Sequence, residues 1–161
     1  MERSRFGNVV NAEQLPGERW GQQIERFGIE SREAAVAVGA RDLGYCLVSV
    51  DPGKRSGPYH FHHSEEEVFF VLSGRGRLRQ GDADGEEEIE LGPGDFASFP
   101  AGTGIAHQFI NDTDQAFVYL ALSNRIQGDV AEYPDSDKLL IRSTRLMLRR
   151  GPKLDYFDGE S

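Results

Sequence analysis

The chain has 161 residues, of which 38% are hydrophobic and 28% charged, and its 27 acidic against 18 basic residues give a formal net charge of −9. This length suits one globular domain with its own core, and the negative charge disfavours nucleic acid and anionic membrane surfaces as partners. Because the sequence lacks an apolar run long enough to span a bilayer and lacks a secretory signal pattern near its N-terminus, we expect a soluble, cytoplasmic protein.

Short strands separated by turns are predicted along the chain. Nineteen glycines and seven prolines punctuate runs of β-branched and aromatic residues, a pattern typical of an all-β sandwich or barrel. In residues 1–39, apolar and polar residues alternate only in patches, at 20–27 and 34–38. This segment is predicted to be an N-terminal extension with strands added to a barrel edge. Residues 40–125 are predicted to form the barrel core, with strands at 43–50, 59–63, 67–72, 76–80, 86–91, 95–99, 105–110 and 115–123. The short turns between them imply antiparallel strands, and residues 126–161 are expected to supply a C-terminal strand and tail that pack on the barrel.

Two histidines and a glutamate carry the first chemical signal. His60 and His62 lie two residues apart in a predicted strand, so both imidazoles point to the same face. After a short loop, Glu67 shares a predicted strand face with apolar residues, where an uncompensated carboxylate would be costly to bury. A cation held jointly with the two histidines would compensate this charge, which favours Glu67 over the acidic residues just before it.

A third histidine lies far along the chain. His107 belongs to the predicted strand 105–110, and a closed barrel would bring it opposite His60 and His62. Three neutral imidazoles and one carboxylate suit Mn, Fe, Co, Ni or Zn rather than Ca or Mg. The sequence therefore predicts a site for one divalent transition-metal ion. Its four predicted ligands are His60, His62, Glu67 and His107.

These residues resemble the two sequence motifs of the cupin superfamily. The first motif is matched in order by Gly53, His60, His62, Glu67 and Gly74, with Gly53 one residue further from the histidines than the pattern prefers. The second motif is matched by Gly94, Pro100, Gly102, His107 and Asn111, with four residues before the histidine where the pattern has two. The resemblance implies a double-stranded β-helix, the jelly-roll barrel of a one-domain cupin, often dimeric, with the metal held by the four matching side chains.

The resemblance implies several activities, all on a small molecule. The first hypothesis is an isomerase or epimerase of sugars or sugar phosphates, in which the metal polarises a carbonyl and an unidentified base moves a proton between adjacent carbons. The second is a non-haem iron dioxygenase, because this ligand set leaves coordination positions for dioxygen. The third is a non-catalytic module that binds a ligand and releases it unchanged. A homodimer is expected from the resemblance alone.

Other features have a structural and a functional interpretation. Cys46, the single cysteine, is predicted to be a small buried residue rather than a nucleophile. The basic stretch 142–150 is predicted to be a solvated face, with an anion or partner patch as the alternative, and the same choice applies to Lys54 and Arg55. His63 points away from His62 and is not expected to be a ligand. Four aromatic residues are assigned either to a pocket around the metal or to the barrel core: Phe69, Phe99, Phe109 and Tyr119.

Overall fold

The structure, a computed structural model, describes residues 5–160. Its strands are β1 (Glu18–Trp20), β2 (Ile29–Glu33), β3 (Leu43–Val50), β4 (Phe61–His62), β5 (Glu67–Ser73), β6 (Gly76–Asp82), β7 (Gly85–Leu91), β8 (Phe96–Phe99), β9 (Ala106–Ile110), β10 (Phe117–Asn124), β11 (Val130–Tyr133), β12 (Lys138–Ile141) and β13 (Leu146–Arg149). The helical segments are α1 (Ala34–Ala37) and two 3-10 turns, Ala12–Gln14 and Pro134–Ser136. In this part of the chain no helix has the length and apolar character needed to cross a membrane.

The strands form an antiparallel jelly-roll barrel. One sheet has six strands in the order β1-β2-β3-β10-β5-β8, and two smaller sheets have the orders β13-β12-β11-β4 and β7-β6-β9. An antiparallel bridge between His60 and His107 joins the two smaller sheets. Several short turns, such as the one between β5 and β6, connect strands of opposite sheets, whereas β6 and β7 pair as a hairpin. The predicted all-β barrel is confirmed.

The core lies between the sheets because strand side chains alternate between the two faces. Phe69 and Val71 of β5 point inward from the large sheet, together with residues of β3 and β10. Their partners come from the smaller sheet β7-β6-β9. The buried core residues are Val48, Val50, Phe69, Val71, Leu78, Leu91, Phe99, Phe109, Phe117 and Tyr119.

The structure of the N-terminal segment differs from the predicted alternating patches. The patch 20–27 is largely a turn, since β1 ends at Trp20 and the backbone of Gly21 has a φ of +81°, a value that favours glycine. The patch 34–38 is mostly helical, because the alanines of α1 favour one helical turn over a strand. Two strands do form at one edge of the large sheet, where β1 pairs with β2 and β2 pairs with β3.

The chain after residue 126 forms three strands, one after another. Strand β11 pairs with β4 on one side and with β12 on the other, and β12 pairs with β13. Because β4 carries His62, this C-terminal sheet lies directly beside the predicted metal ligands. The division of the chain into segments at residues 39 and 125 stays a prediction. The first four residues of the N-terminal segment, 1–4, and the last residue of the C-terminal segment, 161, lie outside the described part.

Candidate metal centre

Backbone pairing brings the predicted ligands together at one end of the barrel. The His60 backbone N–H donates to the His107 carbonyl (3.2 Å), and the His107 backbone N–H donates to the His60 carbonyl (2.8 Å). This pairing sets the two imidazoles side by side, with ring centroids 4.7 Å apart. His62 follows on the same face, 5.1 Å from His60 between ring centroids. Glu67, the first residue of β5, approaches from the large sheet.

The donor atoms of these side chains converge. Those of His60, His62 and Glu67 all lie within 4.8 Å of one another. Glu67 Oε2 is 3.5 Å from His62 Nε2 and 3.1 Å from His107 Nε2. His107 is not part of this three-residue group and contacts it through the carboxylate of Glu67.

Unpartnered atoms indicate what this group fits. Glu67 Oε2 and His107 Nε2 are both buried, and neither atom makes a hydrogen bond among the described residues. Buried polar atoms without partners are costly. A divalent cation would satisfy both atoms, and imidazole nitrogens with one carboxylate are a donor set that suits Mn, Fe, Co, Ni or Zn. The residues fit a transition-metal ion, and metal binding itself stays a prediction.

Hydrogen bonds orient two of the imidazoles. His60 Nδ1 lies 2.9 Å from the Pro58 carbonyl oxygen, which is an acceptor only, so the Nδ1–H donates and leaves Nε2 as the free lone pair. His62 Nδ1 lies 2.6 Å from Asp129 Oδ2 and, by the same logic, leaves Nε2 to face Glu67. Histidine ligands of metals commonly have such a partner for the other ring nitrogen.

Asp129 is a functional candidate that the sequence analysis missed. Its side chain is 1% exposed, and its other oxygen accepts from the backbone N–H groups of Ser64 (2.8 Å) and Glu65 (3.1 Å). Burial alone would raise the pKa of Asp129, but these donors and His62 lower it below its usual value. Asp129 is thus an ionised carboxylate that fixes both the loop before β5 and the ring of His62.

Glu65 supports the same loop. It is 2% exposed, accepts from the Ile126 backbone N–H (3.0 Å) and pairs with Arg142. The donor atoms of His62, Glu65 and Asp129 also lie within 4.8 Å of one another, but these carboxylates already accept protein N–H donors. We therefore interpret Glu65 and Asp129 as supports of the site. Sequence spacing gave no sign of Asp129, because it lies 67 positions from His62.

The charges of the site favour ionised Glu67 and neutral His60. Burial would raise the pKa of Glu67, but the nearby imidazoles, His107 foremost, lower it to about 2. Burial lowers the pKa of His60 to about 4, and His107 adds to this effect. Metal ligands must be deprotonated. Both side chains are therefore in their ligating form at neutral pH without any proton loss.

Aromatic rings surround His107 and His60. Phe99 stacks on the His107 ring with centroids 4.0 Å apart, and Phe69 lies 5.4 Å from it. Both phenylalanines also belong to the buried core. They therefore fit both interpretations given for the aromatic residues, since they are core residues that also contact a predicted ligand. Tyr133 stacks on His60, with centroids 5.7 Å apart.

A cavity of about 200 Å³ opens beside Glu67. The inner side of the large sheet, a carboxylate from β2 and two arginines line it. The lining residues are Glu33, Gly44, Tyr45, Cys46, Glu67, Ala121, Leu122, Ser123, Arg125 and Arg142. A larger apolar depression of about 560 Å³ lies on the outer face of the same sheet, around Phe70 and Phe96, and none of the four predicted ligands lines it.

Several other sequence candidates have structural roles. Cys46, predicted to be buried, is partly buried, and burial raises the pKa of its thiol to about 12, so the thiol is protonated at neutral pH. Lys54 Nζ donates to the Glu25 carbonyl (2.5 Å) and Arg55 to the Gln108 side chain (3.0 Å), and neither lines the cavity beside Glu67. His63 bonds to Glu132 at 2.8 Å, away from the ligand group.

The basic stretch 142–150 is exposed along its whole length, as expected of a solvated face. Within it, Arg142 also pairs with Glu65 and lines the cavity beside Glu67. The fold separates Arg142 from Arg149, because Arg142 comes directly after β12, whereas Arg149 ends β13.

The sequence matches the Cupin domain family over residues 46–123. It is 29% identical over 156 residues to a glucose-6-phosphate isomerase of Thermococcus litoralis, which covers 84% of this chain and 78% of the relative. A solved structure from Acidithiobacillus ferrooxidans, of a protein provisionally named a sugar phosphate isomerase, superposes with a TM-score of 0.79 at 30% identity and covers 92% of this chain and 98% of that one. A shorter match, 37% identical over 73 residues, covers 45% of this chain and 40% of an acireductone dioxygenase of Exiguobacterium sibiricum.

Proposed function

The chain belongs to the cupin superfamily, and on that basis we propose that it is a metal-dependent sugar-phosphate isomerase. The main support is similarity along nearly the whole chain to two proteins with isomerase names. The donor group of His60, His62, Glu67 and His107 supports the proposal independently, because it would form a metal-binding site, and Glu67 also lines a cavity. Fold alone would not select a reaction.

The four predicted ligands would hold a divalent Mn, Fe, Co, Ni or Zn ion. When bound, such an ion supplies Lewis acidity that polarises a carbonyl oxygen. The chain itself keeps the ligands in place: the Pro58 carbonyl and Asp129 turn the Nε2 atoms of His60 and His62 inward. The phenyl ring stacked on His107 excludes water from that side of the group.

The cavity beside Glu67 would hold the substrate. Its volume of about 200 Å³ is smaller than the 300–1,000 Å³ of pockets for drug-sized ligands, which suits a small, polar molecule. A ligand in this cavity would contact Glu67 and would therefore lie next to the metal.

Glu33 is our candidate for the base that an isomerase requires. Moving hydrogen between adjacent carbons as a proton needs a group that accepts it from one carbon and returns it to the other. Among the described residues that line the cavity, the carboxylates are Glu33 and Glu67. Because Glu67 would be occupied as a metal ligand, Glu33 would carry the proton.

Turnover of aldose and ketose phosphates by metal-loaded, untagged protein tests this function. We expect interconversion, detected by ¹H NMR, that requires the metal. Glu67→Gln and His107→Ala should lose both bound metal and turnover, whereas Glu33→Gln should keep the metal and lower kcat at least a hundredfold. The matched control is Glu18→Gln, on the exposed strand β1. Absence of turnover and of metal-dependent binding across the panel would reject the isomerase.

A non-haem iron dioxygenase is the second candidate. It is favoured by the 37% identity to an acireductone dioxygenase, over 45% of this chain, and by a donor set compatible with iron. Metal analysis and oxygen uptake separate the two functions. Iron together with substrate-dependent oxygen consumption would favour the dioxygenase, and full activity with zinc would exclude it.

Three further sequence predictions belong to the same proposal. Ligand binding without turnover is the non-catalytic alternative, and recovery of an unchanged ligand would identify it. A homodimer and a cytoplasmic location also stay predictions. Size-exclusion chromatography with light scattering tests the homodimer, and fractionation of the source cells tests the location.

A further inference from the structure

Two arginines share a cavity with a predicted metal ligand. Arg125 and Arg142 line the cavity of about 200 Å³ that also contains Glu67. Its wall is the inner side of β3 and β10, where Cys46 and Ala121 are cross-strand partners. A molecule that fills this cavity therefore contacts a guanidinium and the carboxylate of Glu67, the one predicted ligand among the lining residues.

The guanidinium of Arg125 is available for a ligand. Within residues 5–160 it makes neither a salt bridge nor a side-chain hydrogen bond, although its backbone N–H donates to the Asp42 carbonyl (2.8 Å). The side chain passes over Gly44, where a Cβ atom would lie 3.3 Å from Arg125 Nε and 3.1 Å from Ser123 Oγ. The missing side chain at position 44 thus leaves room for the arginine at the cavity wall.

Arg142 is held in place but keeps free donors. One of its Nη atoms pairs with Glu65, a carboxylate that is 2% exposed and is itself fixed by the Ile126 backbone N–H. A guanidinium has five N–H donors, so this pair leaves several for a ligand. The side chain of Arg142 is 43% exposed, and an arginine anchored in this way loses less freedom on binding than a mobile one.

The charges around the cavity favour an anion. Arg125 and Arg142 line it together with two carboxylates, Glu33 and Glu67, and Arg142 also pairs with Glu65. Two arginines against three carboxylates leave one negative charge, which a divalent cation at Glu67 would turn into an excess of one positive charge, on a protein whose formal net charge is −9. A phosphate monoester carries a charge of about −1.5 to −2 at pH 7, and arginine forks match its oxygens in bidentate geometry.

From these observations we propose that Arg125 and Arg142 bind the phosphate group of the substrate, an open-chain sugar phosphate whose carbonyl end lies at Glu67. This inference rests on the proposed isomerase function and names the residues that select a phosphorylated over an unphosphorylated sugar. The sequence interpretation of 142–150 as a solvated face holds for Arg145 and Arg149 but would be replaced for Arg142.

Binding of fructose 6-phosphate and of fructose to the metal-loaded protein tests the proposal by isothermal titration calorimetry. Arg125→Gln should weaken binding of the phosphate ester about ten- to a hundredfold and leave binding of fructose unchanged. Arg142→Lys keeps a positive charge that can still pair with buried Glu65, so the protein should stay folded. It removes the two-pronged guanidinium, so the affinity for fructose 6-phosphate should fall about tenfold. The matched control is Arg149→Gln, at an exposed position outside the cavity. Metal content is measured for each variant, so that a loss of metal is not mistaken for a loss of phosphate binding.

The outcomes separate this proposal from the proposed function. If the wild type isomerises the sugar phosphate but the Arg125 and Arg142 variants keep its KM, the phosphate subsite is wrong and the isomerase stands. If the wild type binds the phosphate ester through these arginines without turnover, the subsite stands and the isomerase is rejected. Equal affinity of the wild type for fructose 6-phosphate and fructose would overturn the subsite, whatever the turnover.

Discussion

Replacing Asp129 by asparagine tests whether the carboxylate beside His62 tunes the candidate metal centre. Asp129 Oδ2 lies 2.6 Å from His62 Nδ1, and its side chain is 1% exposed. Asparagine keeps the shape of the side chain and one acceptor oxygen, which the backbone N–H groups of Ser64 and Glu65 will claim. Its NH₂ group then faces the Nδ1–H of His62, and two donors oppose each other. The imidazole must rotate away or move its proton to Nε2, the atom that faces Glu67 in the wild type.

The expected loss follows from the role of such partners. Removing the hydrogen-bond partner of a ligating histidine weakens metal binding about 10- to 100-fold, which corresponds to roughly 1.4 to 2.7 kcal/mol. The buried charged hydrogen bond also contributes to folding, and its loss should lower the free energy of unfolding by about 1.5 to 3 kcal/mol. Both effects arise from one oxygen atom, so they should appear together.

Competition with a chromophoric chelator, on untagged protein, gives the metal affinity directly. Glu132→Gln is the matched control, because Glu132 makes an equivalent bond of 2.8 Å to His63, which is not a predicted ligand. We expect this control to bind metal as the wild type does. Wild-type metal affinity in Asp129→Asn, with the protein folded, would refute the role assigned to Asp129. An equal loss of metal affinity in Glu132→Gln would show that the effect is not specific to the carboxylate beside His62.

Three further predictions concern stability, each measured by urea denaturation of the metal-free protein. Asn111→Ala should lower the free energy of unfolding by about 2 to 4 kcal/mol, because this fully buried amide donates to two backbone carbonyls, at 2.9 and 2.8 Å, and accepts from Thr113. A decrease below about 1 kcal/mol would contradict this prediction. Gly74→Ala should lower the free energy of unfolding by more than about 2 kcal/mol, because the φ of Gly74 is +76° and a Cβ there would lie 2.2 Å from the Ala116 carbonyl oxygen. Its control, Gly53→Ala, should lower it by only about 1 kcal/mol, because Gly53 has a φ of +71° but no atom within 4 Å of a Cβ. The depressed pKa of His60, about 4 against 6.5, means that the unfolded chain takes up the proton first, so stability present above pH 6.5 is lost as pH falls toward 4, by up to about 1.4 kcal/mol per pH unit. His60→Gln should reduce this loss, and an unchanged pH profile would contradict the prediction.

The periodicity of strands let the sequence predict an all-β fold and the faces on which the candidate ligands lie. Side chains two positions apart in a strand share a face, so His60 and His62 had to point together, and Glu67 had to share the face of the core residues that follow it. Turn residues then marked the ends of most barrel strands, and β3 runs from Leu43 to Val50 as predicted. These properties are local, because each depends only on neighbouring residues.

Local patterns failed where strong alternation was absent. In the N-terminal segment, residues 34–37 form a helical turn in place of a strand, because alternation over so few residues competes poorly with the helix propensity of alanine. The C-terminal segment, for which a strand and a tail were predicted, forms three strands, and the first of them, β11, pairs with β4 as well as with β12.

Tertiary structure alone decided which residues support the site. Asp129 lies 67 positions from His62, and Arg142 lies 77 positions from Glu65. These contacts exist because β11 pairs with β4 and carries the C-terminal sheet to the ligand group. A buried charge needs a partner but does not specify where in the sequence that partner lies. The sequence by itself therefore determined the type of barrel and the donor types at the candidate centre, and the closure of the sheets determined their orientation, their buried supports and the arginines at the cavity.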